Sequence, residues 1–115
     1  MDKKYAAQEA ITHSMMGSLG LKLIEEKEGF IRASMPVNDN TSQPFGVLCG
    51  GASLAFAEII AGYGSYLCCP EGFIPVGSSV SGNHVSSVRK ARMFWFTRKP
   101  RLYISAARRI YGMLI

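Results

Sequence analysis

The sequence predicts an α+β domain, and three patterns carry that reading. A short amphipathic helical pattern opens the chain, an alternating apolar pattern broken by a polar turn follows, and a long apolar segment without proline comes next. At 115 residues the chain suits one domain and is too short for two. With 48% hydrophobic residues it can bury a core, though a domain this small gains from a partner subunit.

Residues 2 to 14 place Tyr5, Ala6, Ala10 and Ile11 at helical spacing, and the pattern stops before Gly17 and Gly20. Leu19, Leu21 and Leu23 then alternate with polar positions, residues 25 to 29 form a connector, and residues 30 to 37 return, which predicts an antiparallel hairpin. Pro36 and the polar run NDNTSQP end it in a loop of about ten residues, long enough to carry function. Gly50 and Gly51 make a tight entry turn, and Ala52 to Tyr66 is apolar on every side, the mark of a buried helix. Phe73 to Val76 and Ser79 to Val88 read as short strands beside that helix. There is no internal repeat and no low-complexity segment.

Several function classes fall away. Cys49, Cys68 and Cys69 give no even, spaced framework, so they read as reduced thiols of a cytoplasmic protein. The N-terminal residues lack the unbroken apolar stretch of an export signal. His13 and His84 lie 71 positions apart and Cys68 adjoins Cys69, which gives no metal-ligand spacing, and no phosphate loop or dinucleotide fingerprint occurs. No metal and no cofactor are expected.

Glu58 is the one charge between Asp39 and Glu71. Set mid-helix in an apolar run, it is expected to be mostly desolvated, which raises a carboxyl pKa and suits a reactive group. The competing reading is a carboxylate at a subunit interface or helix edge that reaches water. Residues 44 to 70 are also long enough to span a bilayer, but a central Glu would cost roughly 2.5–3.5 kcal/mol and the internal glycines weaken that reading further.

Met35-Pro36-Val37, Gln43-Pro44-Phe45-Gly46, Leu48-Cys49-Gly50-Gly51-Ala52-Ser53, Ala57-Glu58 and Asn83-His84-Val85 follow one another in an order and spacing that is specific. Over residues 19 to 88 this set resembles the signature of hotdog-fold acyl-CoA thioesterases, the branch that includes the 1,4-dihydroxy-2-naphthoyl-CoA and phenylacetyl-CoA pathway hydrolases. The resemblance implies an antiparallel sheet wrapped around a central buried helix, and hydrolysis of an aryl- or medium-chain acyl-CoA to free acid and CoA. It implies Glu58 as nucleophile or general base, the Gly51 backbone N–H as oxyanion donor and Gln43 orienting the attacking water or the carbonyl. Cys49, Gly50, Gly62 and His84 are the substrate-binding candidates. The active site would form between subunits of a homodimer or homotetramer.

Two positions depart from the family pattern. Cys49 stands where the family usually has a His before Gly-Gly, and Gly62 stands where a small hydroxyl is often found one turn after the Glu. A thiol is a weak hydrogen-bond donor. Cys49 could instead be a nucleophile near a helix N-terminus, though no partner base is identifiable. His84 either contacts the ligand or is a hydrogen-bonded strand residue, and His13 reads as a surface group. A hotdog module that binds acyl-CoA without hydrolysing it is the non-enzymatic alternative.

Charge divides the chain into 1–90, a partial thioesterase-like domain, and 91–115, a basic tail. Residues 1 to 88 hold five Lys/Arg against eight Asp/Glu, a net of −3, whereas residues 89 to 115 hold eight cations and no acid. With Phe94, Trp95, Phe96 and Tyr103 among its cations, the tail could be an arm for nucleic acid or an anionic membrane surface. A frameshift fits better than a nucleic-acid partner. Reading each codon's third base with the next two forces Met93-Phe94, Phe94-Trp95 and Trp95-Phe96 to give Val-Leu-Val, whatever synonymous codons are used. Suitable codons further on permit a string resembling the family's closing strands. The expectation is therefore that a single-base shift near Lys90 lost or replaced the C-terminal strands, and that the altered tail alternates too poorly to pack well.

Overall fold

A computed structural model describes residues 3–27, 29–90 and 101–107. The aromatics Phe94, Trp95 and Phe96 of the tail lie outside the described residues. Helix α1 spans Lys3–Thr12, as the spacing predicts, and a single turn, α2, follows at Met15–Ser18. Ser14 caps α2: its hydroxyl accepts from the Met16 backbone N–H at 3.3 Å, meeting one of the amides that a helix start leaves unpaired.

Strands β1, Lys22–Lys27, and β2, Phe30–Pro36, form the predicted antiparallel hairpin. Gly29 turns the chain between them at a φ of 85°, a left-handed conformation that glycine adopts without a side-chain clash. Strand β3, Arg101–Ala107, pairs with the other edge of β2 along its full length, so the order is β1-β2-β3. The tail thus contributes a third strand, against the expectation that its alternation is too poor to pack. The register sets Leu102, Ile104 and Ala106 opposite Met35, Ala33 and Ile31, a period-two match to the alternating positions of β2.

Helix α3, Gly50–Tyr66, lies against the sheet. Ile31, Ala33 and Met35 alternate along β2, and Phe56 and Ile60 sit one turn apart on α3; all five are at most 1% exposed. Ala52, Ile59 and Tyr63 extend the stripe as partly buried neighbours. Burying Phe56 and Ile60 contributes roughly 1.5–3 kcal/mol each. The helix therefore buries one stripe where an apolar sequence on every side predicts burial all round. Most of its other side chains are half-buried, and Glu58 is exposed.

The predicted strands at 73–76 and 79–88 do not form; residues 71–90 run irregularly and are almost all exposed. Among the described residues they pair with neither edge strand, β1 or β3, and a strand needs a partner for its backbone groups. This segment instead crosses the outward side of α3. A β-carbon on Gly77 would collide with Glu58 Oε1, one on Gly82 would come within 3.0 Å of Leu54, and one on Gly50 would meet the His84 ring. Those three contacts run backwards along the helix as the segment runs forwards, so it forms a strap antiparallel to α3.

Candidate active site

The loop between β2 and α3 brings the first site residue into place. Thr41, 1% exposed, donates through Oγ1 to the Pro36 carbonyl at 2.7 Å and accepts from the Asn38 N–H at 3.0 Å. The Asn38 side-chain oxygen accepts from the Asn40 N–H at 3.0 Å, an Asx turn of the kind the NDNT run favours. Beyond it the chain reverses at Gln43–Gly46. The Gly46 N–H donates to Gln43 O, the Gln43 N–H donates to Val47 O, and Gly46 has a φ of 81°. The Cys49 N–H then returns to Thr41 O at 2.9 Å. Thr41 is thus the anchor for the loop, a role the sequence analysis missed although the Asx/Thr signature was present.

The far end of the strap is stitched to the same loop. The Leu48 N–H donates to Val88 O at 2.7 Å, the Lys90 N–H donates to Gly46 O at 2.9 Å, and Val47 bridges Arg89. The Lys90 ammonium also meets Asp39 Oδ1 at 2.5 Å, which holds the Asp39 carboxyl below its ordinary value through the hydrogen bond first and the ammonium charge second. Both partners are solvent-exposed, so the pair is worth little to stability.

Between loop, strap and helix start lies an open cleft of about 370 Å³. Gln43, Leu48, Gly50, Ser53, His84 and Val88 are among the residues lining it. The His84 ring faces Gly50 through Nε2, 2.7 Å from where a β-carbon would stand. Three of the residues singled out from sequence, Gln43, Gly50 and His84, therefore meet in one place. Ser53, one turn into α3, joins them, and its position in the first helical turn was the available signal.

The first turn of α3 begins at the cleft: Gly50 lines it, whereas Gly51 is exposed and lies outside the lining. The Ala52 and Ser53 N–H groups bond to Cys49 O, whereas those of Gly50 and Gly51 have no acceptor among the described residues. Free amides at the positive end of a 17-residue helix suit a developing oxyanion. Cys49 is the N-cap residue and makes no side-chain capping bond. It is half-buried and does not line the cleft.

Glu58 departs from expectation. It lies outside the cleft, about two turns along α3, and its side chain is exposed and seated against Gly77. The expected desolvation is absent in the single subunit, and a helix-edge carboxylate reaching water is what is observed. The physical reason is rotational: with Phe56 and Ile60 turned to the sheet, position 58 falls on the opposite side of the helix. Gly62 lies one turn further on, with open space where its β-carbon would be.

Nearby, the Tyr63 hydroxyl donates to Glu26 Oε2 at 2.8 Å and links α3 to β1. Burial, then this carboxylate, pushes the phenol's pKa well above its ordinary value. No helix among the described residues is long and apolar enough to cross a membrane.

No protein-family model matches the chain. It is 39% identical over 80 residues to the 1,4-dihydroxy-2-naphthoyl-CoA hydrolase of Escherichia coli, covering 70% of this chain and 59% of that one. It is 33% identical over 95 residues to the proofreading thioesterase EntH of Cronobacter turicensis, covering 79% of this chain and 69% of that one. Among solved structures, a Haemophilus influenzae thioesterase superposes with a TM-score of 0.75 at 32% identity, over 93% of this chain and 68% of that one. The chain thus spans under two thirds of the hydrolase's length. With the hairpin, the helix laid on the sheet and the Gln43 to Glu58 signature all in place, the chain belongs to the hotdog-fold thioesterase family.

Proposed function

We propose that the chain is a subunit of an acyl-CoA thioesterase that hydrolyses an aryl- or medium-chain acyl-CoA to free acid and CoA. The observation that carries the reading is the convergence of the free backbone donor of Gly50 with Gln43 in one cleft at the start of α3, with the Gly51 N–H next along the helix outside the cleft lining. Glu58 acts as general base on water. The water oxygen bonds to the acyl carbon, and the carbonyl oxygen takes the negative charge beside the Gly51 N–H. Collapse of that adduct breaks the carbon–sulfur bond; the sulfur leaves with the electron pair and the proton taken by Glu58 passes to it. The products are the acid and the CoA thiol, so atoms and charge balance. Gln43 orients the water or the carbonyl.

Glu58 lies outside the cleft of one protomer, so the site needs a second subunit to bring a carboxylate and an oxyanion hole together. A cytoplasmic homodimer or homotetramer supplies it. Exposed apolar side chains on the loop and strap, Phe45, Phe73, Ile74, Val76 and Val85, support such an assembly. Residues 91–115 are a tail of different origin from 1–90, produced by a single-base frameshift near Lys90.

The test is release of free thiol from benzoyl-CoA and octanoyl-CoA, with Glu58→Gln as control. Loss of about 10²–10⁴-fold in kcat in the variant, at unchanged thermal stability, is the expected result. Equal rates in both chains would remove Glu58 from the mechanism. Saturable binding of either acyl-CoA without thiol release would establish the non-catalytic module instead.

A further inference from the structure

Gly50 and His84 are placed together by contacts from both directions along the chain. Two residues before His84, Gly82 lets the strap close on Leu54. Four residues after it, the Val88 carbonyl accepts from the Leu48 N–H. The imidazole therefore comes to rest over the first residue of α3, in the space that any side chain at position 50 would fill. A neutral imidazole carries one N–H and one lone pair. The other polar side chains lining the cleft are an amide and hydroxyls, and the Cys49 thiol does not reach it.

We propose that Gly50 and His84 work as a pair. The glycine is a positioning residue whose missing side chain seats the ring. His84, through Nε2–H, donates a hydrogen bond to the thioester carbonyl oxygen as charge builds on it, beside the backbone donor of Gly50. This imidazole does what the Cys49 thiol cannot. No bond is made or broken by His84, and it keeps its proton throughout. The inference rests on the thioesterase reading for its substrate but not for its geometry, and the two are tested separately.

In the full chain, His84→Ala lowers kcat about 10²-fold with little change in KM, the cost of one oxyanion donor. Gly50→Ala does the same by displacing the ring. The double variant is no slower than His84→Ala alone, and His84→Gln, which keeps a donor, recovers part of the loss. Additive losses in the double variant, or a Gly50→Ala chain as fast as the wild type, would overturn the pairing.

The ring proton signals of His84, read by NMR with His13 as internal reference, decide the matter without turnover. Gly50→Ala shifts the His84 signals and leaves those of His13 in place. Phenacyl-CoA, whose carbonyl is separated from sulfur by a methylene and so is not hydrolysed, shifts the His84 signals in the wild type and not in Gly50→Ala. A wild-type chain that releases no thiol would sink the thioesterase reading, and these two shifts would still support the pair. A His84 signal unmoved by the substitution, or by phenacyl-CoA, would refute it.

Discussion

Thr41→Val should loosen the loop that carries Gln43, by an amount that the structure sets. Valine keeps the shape of threonine and removes only the hydroxyl. Pro36 O loses a 2.7 Å donor and the Asn38 N–H loses a 3.0 Å acceptor. A buried group left unpaired costs about 1–3 kcal/mol. Pro36 and Asn38 are half-buried, which places each at the low end, for a total of about 2–3 kcal/mol. In a domain of this size that lowers Tm by roughly 10–15 °C. Thr41→Ser keeps both bonds and loses one buried methyl, worth about 0.8 kcal/mol. Urea denaturation followed by circular dichroism measures both variants. Valine within about 0.5 kcal/mol of the wild type, or serine more damaging than valine, would refute the hydroxyl as the loop's anchor.

Gly62→Ala meets open space and should stabilise α3 by about 0.5–1 kcal/mol, whereas Gly64→Ala brings a methyl to 3.0 Å from Ile31, itself 1% exposed and unable to yield, and should destabilise; thermal melts of the two variants showing the same sign would contradict the close approach of helix and sheet at Gly64. Tyr63 has a raised pKa in the folded chain, so its contribution is fully present below its ordinary value of 10.0 and is lost as pH rises through the folded value; above about pH 10 the wild type should therefore lose stability more steeply than Tyr63→Phe, and parallel stability curves for the two would be the contrary result. Resequencing the gene across codons 86 to 115 should reveal one base gained or lost, and the chain with the frame restored should melt more cooperatively than the 115-residue chain; an intact reading frame there ends the frameshift proposal.

How far the sequence alone reaches differs from element to element. The hairpin was legible because alternation over Leu19 to Val37 admits one arrangement, with Gly29 at the turn. The extent of α3 was legible because residues 52 to 66 contain no proline. Its orientation was not: a helix apolar on every side gives no direction, so which stripe is buried depends on what it meets. Packing of Phe56 and Ile60 on Ile31, Ala33 and Met35 settled that, and it turned Glu58 to solvent. The segment 73–88 looked like strands because turn residues separate short extended stretches in it, but among the described residues it pairs with neither edge strand of the sheet and lies along α3 instead. The strand from the tail escaped notice because pairing between positions 65 or more apart in the sequence leaves no local signal.

By itself the sequence determined the first helix, the hairpin, the extent of α3 and the order of the signature from Met35 to His84, since propensity, turn chemistry and spacing act between near neighbours. Only the tertiary structure decided that Gln43, Gly50 and His84 share a cleft while Glu58 stands outside it. Contacts between distant segments are fixed by which surfaces exclude water together, and no property of a single segment encodes its partner.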